Sequence, residues 1–312
     1  MDPVALLSLE EIIAGLADVN RPLLYTVISE LSDLNKEELR RLEQVWTTID
    51  LKRRRQILRR MVETAEHNAV LNFDEAFKLF LKDGDAEVRS LAIEGLWESE
   101  DPFLIAYFIR FLSVDNPEQV QSAAAIALGK FALLAELGKL RPHYLNRVAA
   151  ALISALEDRN RPVEVRRRIL EAAAPLNLPQ VRKAITEAYQ DDSYECKISA
   201  IYAMGQSCDP SWLPILLQEL ESSDSVLRYE AAGACGELGA EAAVPYLAEL
   251  VTDPDLDVRL AAIQALGKIG GSEAKSLLED YADAAEEAVR EAVEQALGEL
   301  EFAEDPLSFK LP

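Results

Sequence analysis

A basic side chain directly after an apolar one recurs at Arg166, Lys197, Arg228, Arg259 and Arg290, always 31 residues apart. Upstream, Arg89 and Gln121 stand 32 apart in the same register, and 45 residues separate Gln121 from Arg166. The longer step is one period plus about 14 residues inserted near 131–144. A fixed period of this length excludes one shared globular core. Each unit buries its apolar face only against its neighbours, so the chain must stack.

Each copy reads as two helices. In 241–252, Val244, Leu247, Leu250 and Val251 have the spacing of one helical face. Asp255 is placed to cap a second helix, whose stripe is Val258, Ala262, Leu266 and Ile269. Gly270-Gly271 ends it. Asp101-Pro102, Asp209-Pro210 and Asn116-Pro117 open other helices, and Pro214 and Pro245 fall in first turns. Gly129, Gly205, Gly236, Gly267 and Gly298 share one slot inside the second helix. Glycine there costs roughly 1 kcal/mol against alanine, so its recurrence predicts close approach of neighbouring helices.

The pattern D-x-D-V-R-x-x-A-x-x-A-L-G at 255–267 resembles the short HEAT-like repeats first named after phycobilisome lyases. Residues 224–236 and 286–298 match it well, 85–97 and 193–205 in part, and the copies near Val120 and Val165 are degenerate. The resemblance implies an all-α fold: a right-handed α-α superhelix, or α-solenoid, of about seven helix pairs over 69–300. Residues 1–68 are expected as an N-terminal helical cap or two eroded repeats, with helices at 8–17, 21–33, 36–48 and 50–66. The insertion either lengthens the flanking helices and their link or adds a contact surface. Residues 301–312 cannot form another repeat and are expected as an extended tail that caps the array, stays mobile or docks elsewhere.

The chain has 312 residues and a net charge of −23, which argues against nucleic acid as the main partner. The charge is uneven. Residues 36–60 hold nine Lys/Arg against four Asp/Glu, and 271–312 hold three against twelve. The basic run reads as a solvated face, with a partner or nucleic-acid patch as the alternative. No run of about 20 apolar residues offers a membrane span, and the first 20 residues lack a basic, apolar leader. A cytoplasmic location is expected. Cys196 and Cys235 fall in apolar slots and are expected as buried thiols.

Chemistry has little purchase in this sequence. There is no P-loop and no G-x-S-x-G elbow. A HEAT-like di-iron hydroxylase would need repeated His-Glu pairs, but the two histidines stand in His67-Asn68 and His143-Tyr144. The expectation is therefore no enzyme, no cofactor and no metal. The repeated Arg is expected to form a structural ladder with the acidic caps Asp85, Asp224, Asp255 and Glu286.

By resemblance, the second helices line the concave face, and the residues two and six after the repeat's Val position should point there. In the middle of the array these slots hold Arg167, Glu171, Ile198, Tyr202, Tyr229, Leu260 and Gln264. An aromatic-apolar patch rimmed by charge is suited to a protein interface. The alternative is that these side chains only pack between adjacent second helices. The expected activity is that of a scaffold or adaptor binding a protein or peptide of basic or mixed character. A bilin lyase or phycobilisome-associated factor is the alternative, and a HEAT-like DNA repair protein ranks below both.

Overall fold

Apolar residues at helical spacing, punctuated by capping Asp, Ser and Asn, leave the backbone one way to satisfy itself. In the computed structural model, which describes residues 9–113, 117–283 and 286–304, every regular element among those residues is helical. The helices are α1 (Leu9–Ala17), α2 (Tyr25–Ser29), α3 (Lys36–Trp46), α4 (Leu51–His67), α5 (Asp74–Phe80), α6 (Ala86–Gly95), α7 (Leu104–Phe111), α8 (Glu118–Glu136) and α9 (Pro142–Glu157). They continue as α10 (Val163–Ala173), α11 (Pro179–Tyr189), α12 (Tyr194–Gln206), α13 (Leu213–Leu220), α14 (Ser225–Glu237), α15 (Val244–Leu250), α16 (Leu256–Ile269), α17 (Gly271–Asp280) and α18 (Glu287–Glu304). From α5 onward they form the expected seven pairs of an all-α repeat stack. Of the expected extended tail, 301–304 instead continue α18, while 305–312 and Asn116 of the Asn116-Pro117 start lie outside the described residues.

The chain divides into two compact units. One comprises 1–131 with 140–151, the other 132–139 with 152–312. The division falls at the expected insertion. There α8 runs 19 residues and α9 runs 16, against 10 for α6 and 8 for α7, so the extra residues sit mainly in lengthened helices.

In the first unit, α1, α3 and α5 follow one another in one row, and α2, α4 and α6 in the other. The first four helices thus alternate as the repeats do. The expected helix at 21–33 shrinks to the five residues of α2. Leu24 is extended (ψ 146°), Asp33 is left-handed (φ 52°), and Arg53 holds the carbonyl of Arg21 at 2.8 Å. The same guanidinium donates to the carbonyl of Leu16 at 2.7 Å, meeting an acceptor that the end of α1 leaves without a helical partner. Arg53 is only 4% exposed.

Three further arginines of the run pair with acids of their own unit. Arg54 pairs with the buried Asp83, which also accepts from Trp46 Nε1 at 2.6 Å. Arg55 pairs with Asp85 at 2.7 Å and Glu87 at 2.9 Å, and Arg59 pairs with Glu87. The run balances acidic neighbours: Arg54 is half-buried, whereas Lys52, Arg59 and Arg60 stay exposed. The pairs tie α4 to the start of α6.

In the second unit, the second helices α12, α14, α16 and α18 pack on one another far more extensively than the first helices α13, α15 and α17 do. We call their close-packed row the inner row. The glycines explain how they approach. A Cβ on Gly205 would lie 2.6 Å from Ala234 Cα, one on Gly236 2.9 Å from Ala265 Cα, and one on Gly267 2.9 Å from Ala296 Cβ. Each glycine receives the alanine two residues before the next repeat's glycine. In the first unit the tight contact moves: a Cβ on Gly95 would collide with the Phe77 ring. Trp97, in the glycine slot, is 55% exposed.

The basic ladder forms, with partners slightly displaced from those expected. Arg228 grips Asp253 with two bonds, at 2.7 and 2.9 Å, and the carbonyl of Ser222 at 2.7 Å. Arg166 meets Asp191 at 3.3 Å. Arg259 holds the carbonyl of Asp253 at 2.8 Å and reaches Glu286 at 2.7 Å. Of the expected acidic caps, only Glu286 takes an ion pair from the ladder. Asp85 pairs instead with Arg55, Asp224 caps α14, and Asp255 caps α16. The Asp two residues before the cap takes the cation because it lies at the turn, within reach of the preceding repeat's Arg. Cys196 and Cys235 are buried as expected, and Cys208 is exposed.

Candidate functional site

Packing of α12, α14 and α16 through Gly and Ala leaves a shallow groove on the inner row of the second unit, with a volume of about 180 Å³. Its floor includes Gly233, Ala234, Ala261 and Ala265. Tyr202 and Gln206 come from α12, Tyr229, Glu230 and Glu237 from α14, and Gln264 and Lys268 from α16. The groove exists because the inner face carries small residues where the helices cross. The larger side chains stand one turn away.

Three of the seven expected residues, Tyr202, Tyr229 and Gln264, meet in this groove. Tyr202 is 42% exposed and Tyr229 44%. Ile198 and Leu260 are half-buried. Arg167 and Glu171 belong to a separate network with the fully buried Ser199. Arg167 Nε donates to Ser199 Oγ at 3.0 Å, and that hydroxyl donates to Glu171 at 2.6 Å. Arg167 also bonds Glu164 at 2.8 Å, and Arg168 bonds Glu171 at 3.0 Å. This network joins α10 to α12, and its partners already occupy both charged groups.

The groove's electrostatics are acidic. Burial pushes the Tyr202 hydroxyl up, and the nearby Glu171, Glu237 and Glu230 add to it. Burial likewise raises the Glu230 carboxyl, with Glu171 reinforcing and Arg167 opposing. Glu237 is neutralised by Lys268 Nζ at 2.6 Å. The two-slot rule missed Glu230 and Glu237. Residues 229, 230, 233 and 237 share one face of α14, so a rule spanning the full helical period would have included them.

Comparison with known proteins agrees with this architecture. Residues 213–298 match the family model for HEAT repeats. A solved complex of CpcE and CpcF of phycocyanin lyase from Nostoc sp. PCC7120 is 18% identical, with a TM-score of 0.53, over 96% of this chain and 98% of that one. At that identity the likeness shows the fold alone. The Escherichia coli protein YibA is 18% identical with a TM-score of 0.43, covering 74% of this chain and 93% of its own. A curated deoxyhypusine hydroxylase of Drosophila pseudoobscura pseudoobscura is 33% identical over 91 residues, 28% of this chain. The match spans only 30% of that relative's length.

The hydroxylase match corrects the expectation that the chain is no enzyme: a sequence relative of this chain is one. The repeat motif is occupied by capping and packing, so it is compatible with catalytic and non-catalytic chains alike. The side chains do not, however, fit a site of repeated His-Glu pairs. His67 Nδ1 lies 2.7 Å from the carbonyl of Glu63, and His143 stacks on Tyr144 at 3.9 Å. Among the described residues no cluster of three or more His, Cys, Asp and Glu is placed to hold a metal ion. No helix there is long and apolar enough to cross a membrane.

Proposed function

We propose that this chain binds a partner polypeptide on the inner row of its second unit, centred on Tyr202 and Tyr229. The observation that carries the reading is the groove itself. Two large, half-exposed tyrosines stand over a floor of Gly and Ala that the helix packing leaves open. Tyrosine supplies contact area at low entropic cost and is a frequent anchor of interfaces. The surrounding carboxylates favour a partner of basic or mixed character. Arg167 and Glu171 support the surface from beneath rather than contact the partner, because their hydrogen bonds are already made.

The test is affinity capture from native lysate with the wild-type chain and a Tyr202→Ala/Tyr229→Ala variant. The variant is expected to lose the partner and keep its melting temperature, since both side chains are more than 40% exposed. Undiminished capture, or loss of folding, refutes the reading.

A further inference from the structure

Gly233 has no packing role to explain it. It lies inside α14, where alanine would make a more stable helix. Gly205, Gly236 and Gly267 each admit the backbone of the next repeat, but a Cβ on Gly233 would meet nothing within 4 Å. The missing side chain leaves open space one turn after Tyr229 and one turn before Glu237, with Tyr202 on α12 and Gln264 on α16 flanking it.

One carboxylate in this space, though in the field of Arg167, is held by no direct bond among the described residues. Lys268 already satisfies Glu237, and Glu171 is held by Ser199 and Arg168. Glu230 is half-buried, and among the described residues no hydrogen bond or ion pair holds its carboxylate. A partly desolvated carboxylate beside two tyrosine rings attracts a cation by charge and by the rings' electron-rich faces. The long stem of such a residue can lie on apolar surface while its head finds the carboxylate.

We propose that the groove receives one lysine or arginine side chain of the partner polypeptide, its stem over Gly233 between Tyr202 and Tyr229 and its charge at Glu230. This rests on the reading that the partner sits on this face. An apolar or acidic side chain would leave Glu230 unpaired, or repelled, in a chain whose net charge is already −23.

The proposal is tested on the full chain by fluorescence anisotropy with labelled octaarginine, octalysine and octacitrulline, the last a neutral mimic of arginine. Wild type is expected to bind at least one cationic peptide and not octacitrulline. Gly233→Leu, which fills the groove at unchanged charge, and Glu230→Gln are each expected to weaken binding by about tenfold. Glu249→Gln on α15 removes the same charge elsewhere and is expected to change it by less than about twofold. Equal binding by wild type and Gly233→Leu overturns the proposal. So do equal affinity for octacitrulline, no binding of either cationic peptide, or equal losses in Glu230→Gln and Glu249→Gln. Suppose the peptides ignore the groove variants while Tyr202→Ala/Tyr229→Ala still loses its lysate partner. The cation site then falls and the partner face stands.

Discussion

Alanine substitutions at five glycines should split in sign according to what lies in front of each. All five are helical, Gly205, Gly236 and Gly267 in a last turn, and within a helix Gly→Ala by itself stabilises by up to roughly 1 kcal/mol. At Gly233 and Gly298 an added Cβ meets nothing within 4 Å, so that gain is realised. At Gly205, Gly236 and Gly267 the Cβ would lie 2.6, 2.9 and 2.9 Å from the next repeat's alanine, inside van der Waals contact. Forcing helices apart in a well-packed seam costs about 1–3 kcal/mol, and more where the obstacle is backbone. The net effect at these three sites is a loss of up to roughly 2 kcal/mol, largest at Gly205, where Ala234 Cα is the obstruction. Scanning calorimetry and urea titration of the five single variants measure this directly. Gly233→Ala and Gly298→Ala are expected to melt a few degrees above wild type, and the other three below it. An increase in stability for Gly205→Ala would refute the close-approach account of the repeat glycine.

Further consequences follow from the charges. Asp253→Ala leaves Arg228, whose side chain is only 12% exposed, without its bidentate partner, and is expected to cost about 3–5 kcal/mol in chemical denaturation. Glu37→Gln breaks an ion pair with Arg41 that is largely in solvent and should leave the denaturation midpoint almost unchanged. The pH profile of stability should have two limbs. Burial holds the carboxyls of Glu230 and Glu94 up, so their protonation stabilises the fold as pH falls through their raised values. Asp85 is held down first by Arg55, and Asp191 first by the Ser193 backbone, so their contribution is present above about pH 4 and is lost as pH falls through their lowered values. Melting temperature should therefore rise slightly on mild acidification and then collapse. Glu230→Gln should flatten the rising limb, and an unchanged limb would contradict its burial.

The period, the paired helices and the reason for the repeat glycine were legible because each repeat restates the same local physics. The glycine slot of α12, α14 and α16 faces the next helix, and an Asp caps α6, α14 and α16. Legibility failed where partners are set by tertiary approach. The basic run at 52–60 reads as a face that balances acids, but the acids themselves, Asp83, Asp85 and Glu87, lie on the following repeat, about 30 residues away. The helix at 21–33 shrinks to α2, with Leu24 extended before it, Asp33 left-handed after it, and a buried arginine from α4 on the carbonyl of Arg21. Gly95 took over the close contact from the Trp97 slot because Phe77 fills the space within its own pair. At the candidate site, Tyr202, Tyr229 and Gln264 could be named from two slots per repeat. Glu230 could not, because its significance depends on Glu171 and Arg167, brought beside it by α10. Gly233 was visible in its slot, but its freedom from packing appears only once the neighbouring helix is in place.

The most direct test of the central claim is photo-crosslinking with benzoylphenylalanine placed at Tyr202, at Tyr229 and, as a control on the first-helix row, at Tyr246 of α15. All three replacements exchange one aromatic side chain for another. The account predicts a covalent adduct with the same partner from positions 202 and 229 and none from 246. An adduct from 246 alone, or equal adducts from all three, would contradict it.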